Sequence, residues 1–158
     1  MRLVIQRVSE AAVRVDGEVN GEVAGEVVGE VGRGFMVLVG VEHGDTEADV
    51  DWLAAKTAGL RVFDDEAGVM NRSIVDVGGE VLAVSQFTLT ASTRKGNRPS
   101  YIRAAGHDLA VPLYEAYCRK LETLLGRPTR QGRFGADMKV SLVNDGPVTI
   151  ILDSKLRE

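Results

Sequence analysis

Two short segments carry residues whose types and spacing could do chemistry. The first is Ser85-Gln86-Phe87-Thr88, which follows the apolar run Val81-Leu82-Ala83-Val84. At a strand end, hydroxyls and backbone N–H groups can face a pocket, where they stabilise an oxyanion or offer a nucleophile. The same residues also suit a strand that simply surfaces with ordinary β-formers. The second is Asn144-Asp145-Gly146-Pro147-Val148-Thr149. Gly-Pro between two apolar runs reads as a tight hairpin turn, whereas a cis Gly-Pro bond there would make an unusual, rigid backbone surface.

The other familiar catalytic kits are missing. The chain has no Gly-x-Ser-x-Gly, His-Glu-x-x-His, Walker or Gly-x-Gly-x-x-Gly pattern. His43 and His107 fall at helix entries, where surface or capping positions are expected, and neither has metal-ligand spacing to another His or Cys. The lone Cys118 excludes an internal disulfide and a Cys-based zinc cluster. No metal, no cofactor and a reducing cytoplasmic setting are therefore expected.

Charge narrows the partner. A formal net charge of −4 argues against a protein that coats nucleic acid through bulk electrostatics. Yet Ala91 to His107 contains Arg94, Lys95, Arg98 and Arg103 with no acid, and Arg127 to Gly135 contains Arg127, Arg130 and Arg133 with none. Such segments suit a partner that touches phosphate over a small area. They also suit plain solvated loop charge. No apolar run approaches the ~20 residues that span a bilayer, and the opening Met1–Arg7 reads as a strand rather than a signal peptide, so no membrane partner is expected.

The elements that must position these segments follow from pattern. Leu3–Ile5 and Ala12–Val15 look like two short strands, and Phe35–Val39 like a buried one. Residues 17–32 are four tandem Gly-Glu-Val-x units, read as a mobile, extended hairpin with Gly and Val on one face and Glu on the other. Thr46 and Asp49 form a capping-box pair that opens a helix with Val50, Leu53, Ala54, Thr57 and Leu60 buried. Thr90–Pro99 is a loop. A second helix spans about Asp108–Leu125 with a Leu113, Tyr117, Leu121 and Leu124 stripe, Pro112 near its first turn, and Gly126 and Pro128 as its stop. Strands near Met138–Val143 and Val148–Leu152 close the chain. The sum is an α+β fold, one domain over 1–158, with a largely antiparallel, barrel-like sheet and two main helices.

Five ordered matches give this pattern a family likeness. Gln6-Arg7-Val8, Ser85-Gln86-Phe87-Thr88-Leu89, Arg98-Pro99-Ser100, Gly132-Arg133-Phe134-Gly135-Ala136-Asp137-Met138 and Asn144–Thr149 together resemble the D-aminoacyl-tRNA deacylases over nearly the whole length. The chain departs from that pattern in carrying more Gly-Glu-Val units at the 17–32 hairpin. The resemblance implies a homodimer with active sites at the subunit interface. It also implies hydrolysis of the ester joining a D-amino acid, or glycine mischarged on tRNA(Ala), to the terminal adenosine of tRNA. Ser85, Gln86, Phe87 and Thr88 would line the pocket. Gly146-Pro147 would be a Gly-cisPro dipeptide that reaches into the partner's pocket and rejects L side chains. Arg7 would brace that loop, while Phe134, Ala136 and Met138 would flank the adenosine.

Rejecting one hand by a rigid backbone wall suits the task, because the D-amino acids to be removed differ widely in side chain. Thr88 has no Asp, Glu or His close in sequence to activate it, so hydrolysis assisted by the substrate's own ribose hydroxyl is the preferred reading over a Thr88 nucleophile. Three rivals stand beside the deacylase: an RNA-binding module without hydrolysis, a hydrolase of small esters or peptides acting through Thr88, and a structural adaptor.

Overall fold

The computed structural model describes residues 1–19 and 22–158. In chain order the elements are β1 (Arg2–Val19), β2 (Glu22–Val31), β3 (Gly34–Gly40), α1 (Glu47–Gly59), β4 (Phe63–Asp64), β5 (Met70–Arg72), β6 (Glu80–Ser85), α2 (His107–Leu125), β7 (Arg130–Gln131) and β8 (Met138–Asp153), with a 3-10 turn at Phe87–Thr90.

β1 organises the sheet. Its first half pairs with β3 and its second half with β2, while β8 runs antiparallel along its other edge. The two short strands expected at Leu3–Ile5 and Ala12–Val15 are therefore one strand, since Gln6, Arg7, Val8, Glu10 and Ala11 find ladder partners too. The sheet is largely antiparallel through the three long pairings of β1, but mixed, since β3–β6 and β6–β7 are parallel pairs. Each is bridged by a helical crossover, α1 in the first case and α2 in the second, which parallel neighbours require. β4 and β5 form a small separate hairpin.

The sheet curls until β2 lies against β7, giving it a nearly barrel-like shape. Gly29 makes that approach possible, for a Cβ there would lie 2.7 Å from the Gln131 carbonyl oxygen. Both faces of β3 and β6 are consequently buried. Phe35, Val37, Val39, Val81 and Ala83 join the helices in one core, while Met36, Leu82 and Val84 join Val8, Val13 and Val31 in a second inside the curl.

The helices follow their local signals with three exceptions. The Thr46 N–H donates to Asp49 Oδ2 at 2.8 Å, and Val50, Leu53, Ala54 and Thr57 are buried as the stripe requires, but Leu60 is the C-cap beyond the last turn and only half-buried. In α2, Leu113, Tyr117 and Leu121 are buried but Leu124 is exposed, the core-facing position of the last turn being taken by Leu125. Pro112 is the sixth helical residue, past the first turn. Gly126 closes the helix at φ 70°, the left-handed conformation a glycine tolerates.

The repeat forms an antiparallel hairpin between β1 and β2, with its Asn20-Gly21 tip outside the described residues. A bulge between Val13 and Arg14 of β1 and the facing Gly29 and Val27 overturns the single Gly/Val face. Val31 and Gly29 point inward, Val28 packs on the inner core, and Val27 is turned to solvent. One extra residue in a period-two strand exchanges the faces of everything beyond it.

Candidate active site

The strand end at Ser85 opens onto a cavity of about 580 Å³. Val39, Val41 and Val84 form its floor, and Ser85, Gln86 and Phe87 its lip. The N-terminal part of α2 supplies His107, Ala110 and Tyr114, and the segment before β8 supplies Phe134, Gly135 and Ala136, with Met138 and Val140 beyond. The lining is mostly apolar with a few polar groups at one edge, the usual character of a small-ligand site.

The lip is held by backbone. Gln86 N–H donates to the Val39 carbonyl at 2.8 Å, so β6 stays attached to β3 one residue past its last formal pair. The chain then turns: Leu89 N–H bonds the Gln86 carbonyl at 3.2 Å and Thr90 Oγ1 donates to the Phe87 carbonyl at 2.8 Å. Gly40 admits the turn, since a Cβ there would sit 2.9 Å from Leu89 Cβ and 3.2 Å from the Gln86 oxygen. As the first residues of this turn, Phe87 and Thr88 have backbone N–H groups with no hydrogen-bond partner among the described residues. Two adjacent unpaired donors beside a cavity can receive a developing oxyanion.

Thr88 stands one residue outside the cavity lining, and the Gln86 side-chain amide donates to its Oγ1. No carboxylate or imidazole hydrogen-bonds that hydroxyl among the described residues. On the opposite wall, Phe134 is clamped between His107 and Tyr114, ring centroids 5.3 and 5.8 Å away and both edge-to-face. Tyr114 Oη donates to the Ala83 carbonyl at 3.0 Å, and burial pushes its phenol well above the ordinary range. Cys118 lies one turn further along α2 with its thiol pushed up to about 12 by burial. It is an inert core residue.

Six of the ten predicted site residues thus share one cavity: Ser85, Gln86, Phe87, Phe134, Ala136 and Met138. Arg7, Gly146 and Pro147 do not line it. They belong to a bulge on β8, where the predicted hairpin turn is overturned. β1 pairs Gln6 with Thr149 and then Val8 with Asn144, so Asp145–Val148 all face the single residue Arg7. The chain does not reverse there. Arg7 Nε donates to the Asp145 carbonyl at 2.8 Å, and its Nη1 donates to the Val62 carbonyl at 2.5 Å and lies 3.7 Å from Asp64. Asn144 Oδ1 accepts the Val148 N–H at 2.8 Å across the bulge. The Gly146–Pro147 peptide is cis, with Gly146 at φ 142°.

Sequence reasoning missed His107 and Tyr114 as cavity walls. His107 does open a helix as read, but only the tertiary packing of Phe134 gives its ring a role. Tyr114 carries one available signal: it sits at i+7 from His107, on the same helix face.

Comparison with known proteins adds identity to this geometry. The family described as D-Tyr-tRNA(Tyr) deacylase matches residues 4–153. A protein of Phocaeicola vulgatus named D-aminoacyl-tRNA deacylase is 57% identical over 158 residues, covering 100% of both chains. One from Parabacteroides distasonis with the same name is 53% identical at the same coverage. Among solved structures, one titled c-Myc DNA Unwinding Element Binding Protein superposes with TM-score 0.85 at 37% identity, covering 97% of this chain and 98% of its own. A probable eukaryotic D-amino acid tRNA deacylase shares the fold, with TM-score 0.76 at 17% identity over 96% and 97% of the two chains.

Proposed function

Since the chain belongs to the D-Tyr-tRNA(Tyr) deacylase family, we propose that it hydrolyses the ester of D-aminoacyl-tRNA, releasing free amino acid and tRNA. The observation that carries this reading is the pair of N–H groups at Phe87, on the lip of an apolar cavity, and at Thr88 just beyond it, unpartnered among the described residues, with no carboxylate in the cavity lining. A carbonyl carbon attacked by water puts negative charge on its oxygen. Two fixed donors stabilise that charge without reorganising. The hydroxyl of Thr88 is held by Gln86 and has no base, which favours water oriented by the neighbouring ribose hydroxyl over a covalent intermediate.

Phe134, Ala136 and Met138 would flank the terminal adenosine, with Phe134 held in place by its two aromatic neighbours. The Gly146-Pro147 bulge would supply the chirality filter, its carbonyls meeting an L side chain and leaving room for a D substituent or for glycine mischarged on tRNA(Ala). Because Gly146 and Pro147 are absent from the cavity of their own chain, this role calls for a second copy. The homodimer has further support in β8, whose outer edge has no strand partner among the described residues and whose outward face shows Ile151 at 67% and Val143 at 49% exposure. Arg7 would keep the bulge rigid enough to act as a wall. The reaction would belong to the cytoplasm, where tRNA is charged.

The nucleic-acid title of the 37%-identical structure favours a second reading, a binding module without turnover. Deacylation of matched D-tyrosyl-tRNA and L-tyrosyl-tRNA separates the two. Release from the D ester alone supports the deacylase with its filter. Equal release of both leaves a hydrolase without the filter, and release of neither by folded protein favours the binding module.

A further inference from the structure

We propose that the loop bearing Arg94, Lys95 and Arg98 is a phosphate clamp that holds the RNA strand leading out of the cavity. The sequence holds 19 Lys and Arg against 23 Asp and Glu. Nearly all the basic side chains are engaged, with a carboxylate as in Arg2–Asp153 and Lys155–Asp49, with a carbonyl as in Arg61 and Arg127, or with a ring as in Arg33 and Arg157. Among the described residues the exceptions are Arg94, Lys95, Arg98 and Arg130. Three of the four fall within five positions of one exposed loop.

The neighbouring Arg103, on which the sequence-level basic segment also counted, is not free. It donates to the Thr90 carbonyl at 3.2 Å and stands 3.9 Å from Glu42, so it holds the base of the loop rather than facing a partner. In the second basic segment, Arg127 bonds the Gly78 carbonyl and Arg133 pairs with Glu26. Tertiary structure therefore reduces two basic segments to one unneutralised cluster.

That cluster is fixed to the rim of the cavity. Ser92 and Ser100 exchange backbone hydrogen bonds of 2.9 Å each and close the loop at its neck. Just past the neck, Tyr101 packs edge-on against Phe87 of the cavity lip, centroids 5.0 Å apart. An otherwise acidic molecule presents three unpaired positive charges beside the opening of its pocket. Lys and Arg side chains displace the cations condensed along a nucleic-acid backbone, and the release of those cations drives binding. If the cavity takes the aminoacylated terminal nucleotide, the phosphates behind it must leave across this rim. The identification of the strand as the acceptor end of tRNA rests on the deacylase reading above; the affinity of the loop for RNA does not.

The test is binding of uncharged tRNA by the intact protein and by the triple variant R94Q/K95Q/R98Q between 50 and 200 mM salt, with Arg130→Gln as a control for the loss of one free cation elsewhere. The slope of log K against log salt is expected to fall by about 2 to 3 in the triple variant, as for three phosphate contacts. Affinity at 50 mM salt should drop roughly tenfold or more, while Arg130→Gln keeps the wild-type slope within one contact. Hydrolysis of D-tyrosyl-adenosine, which offers no phosphate, reports whether the variant's pocket is intact. A triple variant with the wild-type salt slope and affinity overturns the clamp, as does an equal loss in Arg130→Gln. Should wild-type protein bind tRNA through the loop yet release no D-tyrosine, the clamp stands and the deacylase reading falls.

Discussion

The wall at Ser85–Thr88 and the bulge at Asp145–Val148 are both backbone surfaces beside strand ends, yet they are held in opposite ways. The first grows from β6, whose residues Val81–Val84 are buried on both faces between two cores. Its donors are fixed by the same packing that holds the protein together. The second rides on β8, an edge strand with mostly exposed side chains, and is held by the Arg7 guanidinium on the Asp145 carbonyl and by the Val148 N–H on the Asn144 side chain. The contrast teaches that the proposed oxyanion-binding side would be built into the fold. The proposed selective side would be an attachment, adjustable without disturbing the core and in need of a second surface to act upon.

Substitutions that load one side and spare the other test that division. Leu82→Ala empties a fully buried position behind the lip and is expected to cost about 2–5 kcal/mol of stability. Denaturant unfolding would measure it, and a loss under 1 kcal/mol would show that the lip does not depend on the core. The double variant V143R/I151R places charge on the outward face of β8, and is expected to leave monomers by sedimentation with deacylation down about a hundredfold, as for reacting groups no longer held in register. A fully active monomer would remove the need for a second copy.

Arg7→Ala leaves the Asp145 and Val62 carbonyls without their charged donor. The expected cost is about 1.5–3 kcal/mol, a factor of roughly 10 to 150 taken mainly from the ratio of D to L hydrolysis. Loss of total activity with an unchanged ratio would assign Arg7 to general folding instead.

Acid should act on the far end of β8. Burial alone would raise the Asp49 carboxyl, but hydrogen bonds from Ser154, the Thr46 N–H and Lys155 outweigh it and hold the group well below the usual carboxylate range. Asp153 is likewise lowered, against its burial, by the Lys155 N–H and by Arg2. Carboxyls depressed in the folded state stabilise it fully above their unfolded values near 4, and that stability is lost as pH falls below them. Thermal midpoints followed from pH 6 to 3 should decline below about pH 4, and less steeply in Asp49→Asn than in the parent. The smallest effect is expected of Thr88→Ala, which should retain single-turnover hydrolysis within about threefold because its hydroxyl has no base to activate it. Near-complete loss with intact folding would make the hydroxyl a nucleophile after all.

Much of this was legible in local signals. The capping pair Thr46 and Asp49, the Val50-Leu53-Ala54-Thr57 stripe, the stop at Gly126 and the buried run Phe35–Val39 depend on spacing along one element, and each appears as read. The parallel pairing of β3 with β6 is legible too, in the strand–helix–strand order that a largely antiparallel reading leaves unused. Gly146-Pro147 shows the limit. In sequence it has every mark of a hairpin turn, and only the ladder with β1 on both sides makes it a bulge.

The sequence by itself determined which segments are strands and helices, how the helices begin and end, and which short motifs are out of the ordinary. Those properties arise from neighbours within a few residues, where propensity, capping and periodicity act. Tertiary structure decided the register of β1 and β8, the face each Val of the repeat turns inward, and the meeting of Phe134 with His107 and Tyr114. It also decided which cations are consumed by the fold and which remain free. These depend on groups brought together from opposite ends of the chain, and charge or hydropathy read along the sequence cannot say which partner will arrive.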